Sequence, residues 1–348
     1  MSVTRHTLRV TLAAALAAPA MLAAQTGGGG DQYHITKRIN TGGEGGWDYL
    51  VVDTSSHRLY VSRGTHVQVI DTDRDTLVGD IPNTPGVHGI ALAPALGRGF
   101  TSNGRDATVT IFDLKTLAPF GVVRVTGANP DAILYDDATR RVFAINHTGK
   151  NVTAIDAATG AVLGTVPLSG AAETAASDGK GTIYVNVEDK NEIIPFDART
   201  LAPKAAIPLS GCDAPTGMAV DRLKSRLYVG CGDNKTMAVV DYASGKVIAT
   251  IPVGAGVDAN DFDPATGLSF ASGGDGTLAV AREDTPGHFA VTLVPTVRGA
   301  RTMALDPRTH KVYLSSAQYG PSPAPTADRP RPRPPIIPGS FTILVLER

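Results

Sequence analysis

Short apolar runs separated by polar turns recur along almost the whole chain. The clearest unit spans residues 226–254, RLYVGCGDNKTMAVVDYASGKVIATIPVG. It predicts three strands, RLYV, TMAVVD and KVIATIPVG, parted by the turn sequences GCGDNK and YASG. Runs rich in β-branched and apolar residues, bounded by Gly, Asp and Asn, are the signature of strands in tight antiparallel pairing.

Aligning the strand-like runs gives seven units. Their first strands begin at Asp48, His88, Asp131, Glu173, Thr216, Asp258 and Arg301, at spacings of 40, 43, 42, 43, 42 and 43 residues. Each unit continues with an aromatic-centred second strand (RLYVS, RGFTS, RVFAI, TIYVN, RLYVG, LSFAS, KVYLS) and a third such as TVTIFD or NVTAID. A fourth strand leads into the next unit. A period of about 40–45 residues with four strands per unit predicts a β-propeller, here all-β and seven-bladed. The first strands are nearly continuous in apolar residues, as expected of innermost strands covered on both faces. The last unit ends at FTILVLER without a fourth strand. Residues 33–41, YHITKRINT, match the fourth-strand pattern, so the N-terminal strand is expected to complete the last blade and remove exposed edges.

The N-terminus departs from this pattern. Arg5, His6 and Arg9 precede an apolar run over residues 10–18, and small residues follow to Ala24. Residues 1–24 read as a cleaved signal peptide, too short to span a bilayer, and residues 25–32 as a Gly-rich linker. The propeller would occupy residues 33–348 in a periplasmic or secreted protein. Removing residues 1–24 takes away two arginines and no acid, moving the formal charge from −1 to −3. That balance and the few aromatics on the loops speak against nucleic-acid binding, and no other apolar stretch is long enough to cross a membrane. In an oxidising compartment the two cysteines, Cys212 and Cys231, are expected to form a structural disulfide.

Ten aspartates recur where strands enter turns. Asp53, Asp136, Asp221, Asp263 and Asp306 end first strands; Asp71, Asp113, Asp156, Asp197 and Asp241 end third strands. They read as turn residues whose carboxylates bond backbone amides. Residues 321–338, PSPAPTADRPRPRPPIIP, interrupt the seventh unit and favour extended polyproline II, presenting Arg329, Arg331 and Arg333. Asn146 and Asn151 fit the glycosylation pattern.

The combination RLYV…AVVDYASGKVIATIPVG resembles the YVTN repeat of YncE-like seven-bladed propellers. Similar stretches occupy residues 58–82 and 141–170. The resemblance spans about residues 33–348 and implies an exported propeller. Similar propellers include DNA-binding proteins, lactonases and quinoprotein dehydrogenases, yet none of their motifs transfers residue by residue.

Candidate chemistry lies in the first column. Asp48, His88, Asp131, Glu173, Asp258 and Arg301 are ionisable and begin the strands that would line the central channel. Carboxylates with one histidine suit a divalent cation, Ca²⁺ or Mg²⁺ by the oxygens or Zn²⁺ by the imidazole, and Asp48, His88, Asp131, Glu173 and Asp258 are the candidate ligands. Blade six is anomalous: Asn260 and Asp261 stand where the other blades are apolar. A buried carboxylate needs a partner, and Arg301 on the next blade is one candidate. The sequence therefore points to a protein that binds a small molecule or a protein partner on its channel face, with Asp258, Asn260, Asp261 and Arg301 at the core. A metal-dependent, lactonase-like hydrolase and an interaction platform built on the proline-rich loop are the alternatives.

Overall fold

Residues that alternate or run apolar for four to seven positions, closed by an Asp-led turn, leave the chain few choices but hairpins. The computed structural model bears this out. It describes Met1, residues 32–326, Pro332 and residues 334–348. The expected signal segment beyond Met1 lies outside the described residues. So do the linker up to residue 31 and Arg329, Arg331 and Arg333.

Among the described residues the strands form seven four-stranded antiparallel sheets arranged as the blades of a propeller. The innermost strands are Leu50–Asp53, Val87–Ala93, Pro130–Asp136, Ala172–Ser177, Pro215–Asp221, Val257–Asp263 and Met303–Asp306. The sequence places the starts of the first and last of these at Asp48 and Arg301; both strands begin two residues later, because each enters from an irregular loop. Within every blade the strands follow in sequence order from the channel outwards, except in blade seven. There the outermost place is taken by the N-terminal strand His34–Asn40, paired antiparallel with Thr342–Glu347. First and last strands thus close the ring, as expected.

The core is divided into seven hydrophobic layers, one between each pair of neighbouring blades. Tyr60, Phe100, Phe143, Tyr184, Tyr228, Phe270 and Tyr313, at the centres of the second strands, are 0–5% exposed and fill these layers. Burying each such side chain contributes roughly 1.5–3 kcal/mol, so the repeat is also the main source of stability. The outermost strands alternate exposed and covered positions, as a sheet with one wet face must.

Turn chemistry follows the sequence reading. All ten aspartates accept hydrogen bonds from groups two or three residues ahead: Asp53 from the Ser55 amide at 2.9 Å, Asp197 from Thr200 at 2.7 Å, Asp306 from Arg308 at 2.9 Å. Cys212 and Cys231 are joined in a disulfide, both buried between blades four and five. Asn146 is fully buried, its amide donating to Asn151 and Thr153, so it is closed to glycosylation.

Residues 317–341 run between the second and third strands of blade seven. Their two ends fold back on each other: Gly320 donates to the Pro335 carbonyl at 2.8 Å and Ile337 to that of Gln318 at 2.9 Å. On the other side of the same mouth, residues 42–47 are gathered by Arg63. Its buried guanidinium donates to the carbonyls of Gly42, Glu44 and Gly45 and to Gln68, and lies 3.7 Å over the Phe341 ring. Burial pulls its pKa down to about 10.

Candidate functional site at the channel mouth

The first-column side chains owe their aim to backbone irregularities. In blades two to six the pairing of the innermost strand with its neighbour slips once, within two residues of the column position: between Val87 and Ile90, Pro130 and Ile133, Ala172 and Ala175, Pro215 and Met218, and Val257 and Ala259. A β-bulge bends the strand and re-aims the residue it contains. His88, Asp131, Glu173, Thr216 and Asp258 all sit in these bulges.

Polar residues of the second strands then tie the bulges down. Ser102 of blade two donates to the Asp131 carbonyl of blade three, and Ser272 of blade six to the Arg301 carbonyl of blade seven. Asn186 of blade four donates to the Thr216 carbonyl at 2.8 Å, and Thr216 in turn to the Val257 carbonyl at 2.8 Å. Within blade one, Ser62 Oγ accepts the Asp48 amide at 2.9 Å. These bonds join blade to blade at the level where the charged side chains emerge.

The first four column residues converge. His88 Nδ1 lies 2.7 Å from Asp48 Oδ2 and 3.8 Å from Asp131 Oδ1. The other edge of the ring lies against Gly104, where an added Cβ would stand 2.5 Å from Asn129 Oδ1 and 2.8 Å from His88 Nε2, so a larger residue there would have to displace the imidazole or the amide. Glu173 Oε2 lies 3.2 Å from His147 Nδ1, and the Ala172 carbonyl lies 3.0 Å from the same nitrogen. Asp48, His88 and Asp131 each bring one donor atom to within 4.8 Å of one another; so do Asp131, His147 and Glu173. Tyr49 crosses the channel beneath them, donating from blade one to the Glu173 carbonyl of blade four at 3.3 Å.

Electrostatics reflect the crowding. Burial raises the Asp131 pKa well above the carboxylate range, and the Asp48 charge raises it further. Burial disfavours a charged His88, but the hydrogen bond to Asp48 and the charge of Asp131 outweigh it and raise its pKa. The hydrogen bond to Glu173 lifts His147 to about 9. Burial, then the neighbouring carboxylates, raises Tyr49. A group of three carboxylates and two imidazoles that favours extra protons is one that would accept a cation in their place.

Asp258 and Arg301 form a separate pair. Arg301 Nη1 lies 3.0 Å from Asp258 Oδ2, with the arginine 45% exposed. Burial pushes Asp258 up to about 7, against the pull of Arg301. Asp258 belongs to neither three-residue group among the described residues.

Asp261 is answered differently from the sequence expectation, since Arg301 is engaged by Asp258. Its carboxylate accepts the Phe262 amide at 2.9 Å and, across the blade boundary, the Leu305 amide at 3.0 Å. Asn260 donates to the Phe270 carbonyl at 3.2 Å. Its Oδ1 would stand 2.4 Å from a Cβ at Gly230, a position where blades one, two, six and seven carry Ser. The small residue of blade five accommodates the polar residue of blade six.

Beside Arg301 a cavity of about 800 Å³ opens between residues 46–47 and the folded-back loop of blade seven. Trp47, Arg298, Arg301, Tyr319 and Ile336 line it. Trp47 packs on Phe341, ring centres 5.1 Å apart, and lies 6.4 Å from Tyr319. Sequence reasoning placed Arg301 at this mouth but missed Trp47, the chain's single tryptophan, which sits one residue before Asp48. His147 stands outside the first column; its place directly after the end of the second strand Arg141–Asn146 was the available signal.

The same architecture is found in a chain from the "Crystal Structure of Mitotic Checkpoint Complex". That chain is 14% identical, the match covers 99% of each chain, and the TM-score is 0.74. At this identity the likeness concerns the fold alone. No family model matches the sequence, and no curated protein matches it. Among the described residues no helix is long and apolar enough to cross a membrane.

Proposed function

We propose that the chain is an exported propeller of the YVTN, YncE-like type that binds a small organic anion at the mouth of its channel. The cavity of about 800 Å³ carries this reading, because its lining combines two arginines with Trp47 and Tyr319. Guanidinium forks fit carboxylates, and aromatic walls hold flat or apolar parts of a ligand at small entropic cost. Asp258 holds one edge of the Arg301 guanidinium and so fixes its direction. The N-terminal segment of residues 1–24 and the Cys212–Cys231 disulfide support export, since disulfides persist in oxidising compartments. A protein secreted from cells would then begin near Gln25, as mass spectrometry of its N-terminus would record.

Trp47 makes the binding test direct, being the only tryptophan. Its emission should change saturably on titration with a panel of aromatic and aliphatic mono- and dicarboxylates. Binding should weaken with salt and be lost in the Arg298→Gln/Arg301→Gln double variant. A flat response to the whole panel, or an affinity unchanged in the double variant, would sink the reading. A metal-dependent hydrolase is the second reading, favoured by the two three-residue groups around Asp131. It requires lactone or ester hydrolysis that appears with an added divalent cation and disappears with a chelator.

A further inference from the structure

We propose that the channel mouth holds a binuclear site for divalent transition-metal ions of the zinc type, with Asp131 as the bridging ligand. One ion would be bound by Asp48, His88 and Asp131, the other by Asp131, His147 and Glu173. The site is separate from the arginine-lined cavity and does not depend on what that cavity binds.

The arrangement is two copies of one donor set. Each group supplies one imidazole nitrogen and two carboxylates, and in each the donor atoms lie within 4.8 Å of one another. An ion at the centre of such a group reaches all three ligands at the 2.0–2.2 Å typical of zinc, with a small inward rotation of the side chains. Three protein ligands leave a fourth position for water or a ligand, the pattern of open rather than structural zinc sites. The nitrogen donors favour zinc or cobalt over Ca²⁺ and Mg²⁺, which take oxygen alone.

A second observation comes from Asp131 itself. The residue is only 9% exposed, and its Oδ1 is withdrawn from water with no hydrogen-bond partner. The nearest imidazole nitrogen, His88 Nδ1, is 3.8 Å away, beyond hydrogen-bonding reach. A buried carboxylate oxygen without a donor is costly unless something positive faces it. This is also the one residue common to both groups, where a bridging ligand has to be. Its carbonyl is anchored by Ser102 across the blade boundary, so the side chain projects from a fixed point. Paired ions sharing a carboxylate stand about 3.5–4 Å apart, which places one ion on each side of Asp131.

Charge also favours two ions over one. Three carboxylates and two neutral imidazoles carry three negative charges; two divalent cations with one bound hydroxide balance them. His88 and His147 remain partly accessible from the mouth, at 30% and 26% side-chain exposure, so ions can enter without opening the ring.

The test uses the full chain without its signal segment, stripped with a chelator, dialysed and titrated with Zn²⁺ by calorimetry and with Co²⁺ by visible absorption. Two ions per chain are expected, with the intense d–d bands of four- or five-coordinate cobalt. His88→Gln and His147→Gln should each lose one ion and keep the other, whereas Asp131→Asn should lose both. His288→Gln, altering an exposed histidine on an outer strand, should keep both. Circular dichroism of each variant guards against misfolding, and the cobalt spectrum of the unaltered chain stands if a variant fails to fold. A stoichiometry of one or zero, octahedral cobalt bands only, or binding that survives the His88→Gln/His147→Gln pair would overturn the proposal.

Discussion

Neutralising Asp261 should stabilise the protein at neutral pH, although the residue makes two good hydrogen bonds. Burial raises its pKa from 3.8 to about 6, against the Phe262 and Leu305 amides that favour the charge. Because the folded pKa is the higher one, the native state holds a proton between those values that the unfolded state has released. Stability from this group is therefore full below about pH 4 and is lost as the pH rises through about 6. A shift of about 2 units corresponds to roughly 3 kcal/mol, at about 1.4 kcal/mol per unit. Asp261 is only partly buried by accessible surface, so solvent screens part of that, leaving about 2 kcal/mol as the working figure. Asp261→Asn keeps the shape and one acceptor, as the protonated acid does, but cannot ionise. The variant should match the parent at pH 4 and exceed it by about 2 kcal/mol at pH 7.5. Urea unfolding followed by Trp47 emission and by far-ultraviolet circular dichroism would measure this in the presence of a chelator. Agreement of the two probes establishes that one cooperative transition is being compared. Every other titrating group cancels in the difference between the two proteins. A difference that stays constant from pH 4 to 7.5 would refute the reasoning, since it would mean that the Asp261 carboxylate is as well solvated in the ring as in the unfolded chain.

Three further outcomes are expected. Replacing both Cys212 and Cys231 by Ser should cost roughly 3 kcal/mol in denaturant midpoint, through the loop of sequence separation 19 that the disulfide closes. Arg63→Met should cost on the order of 3 kcal/mol by stripping donors from the carbonyls of Gly42, Glu44 and Gly45, and should red-shift Trp47 emission as residues 42–47 loosen. Deleting residues 1–41 should expose the edge of Thr342–Glu347 and produce concentration-dependent aggregation in light scattering, whereas deleting residues 1–31 should not.

The parts legible in the sequence were those written into every repeat. An aromatic residue at the centre of each second strand and an aspartate at most of the turns after first and third strands are repeated because each blade must solve the same packing and capping problem. Ring closure by the N-terminal strand followed from counting: the last unit lacked one strand and the first was preceded by one. The bulges were not legible. They arise from pairing register between strands, and His88 or Asp131 reads the same in sequence whether its strand is regular or bulged. The role of His147 was hidden for a related reason. It lies outside the first column, and only the turn of Glu173 towards the neighbouring blade brings the two together.

The deviations from the repeat show where the ring is built for something other than its own stability. A structural first column would be filled with threonine, as blade five is: Thr216 spends its hydroxyl on the Val257 carbonyl and clamps two blades. Asp48 and His88 join blades one and two, and Glu173 joins His147 of blade three, but these clamps are made between ionisable groups. Their anchoring is delegated to backbone groups held by Ser62 and Ser102, which leaves the charged ends turned towards one another. Crowding three carboxylates raises the energy of the empty ring, and burial withholds the water that would relieve it. Asp261 shows that the fold can pair a partly buried carboxylate, through the Leu305 and Phe262 amides, whereas Asn260 pairs its amide nitrogen and leaves Oδ1 without a donor. Asp131 Oδ1 is likewise left without a donor, and it differs from Asn260 in lying at the one residue shared by both imidazole groups, which is why the proposed cation site is centred there.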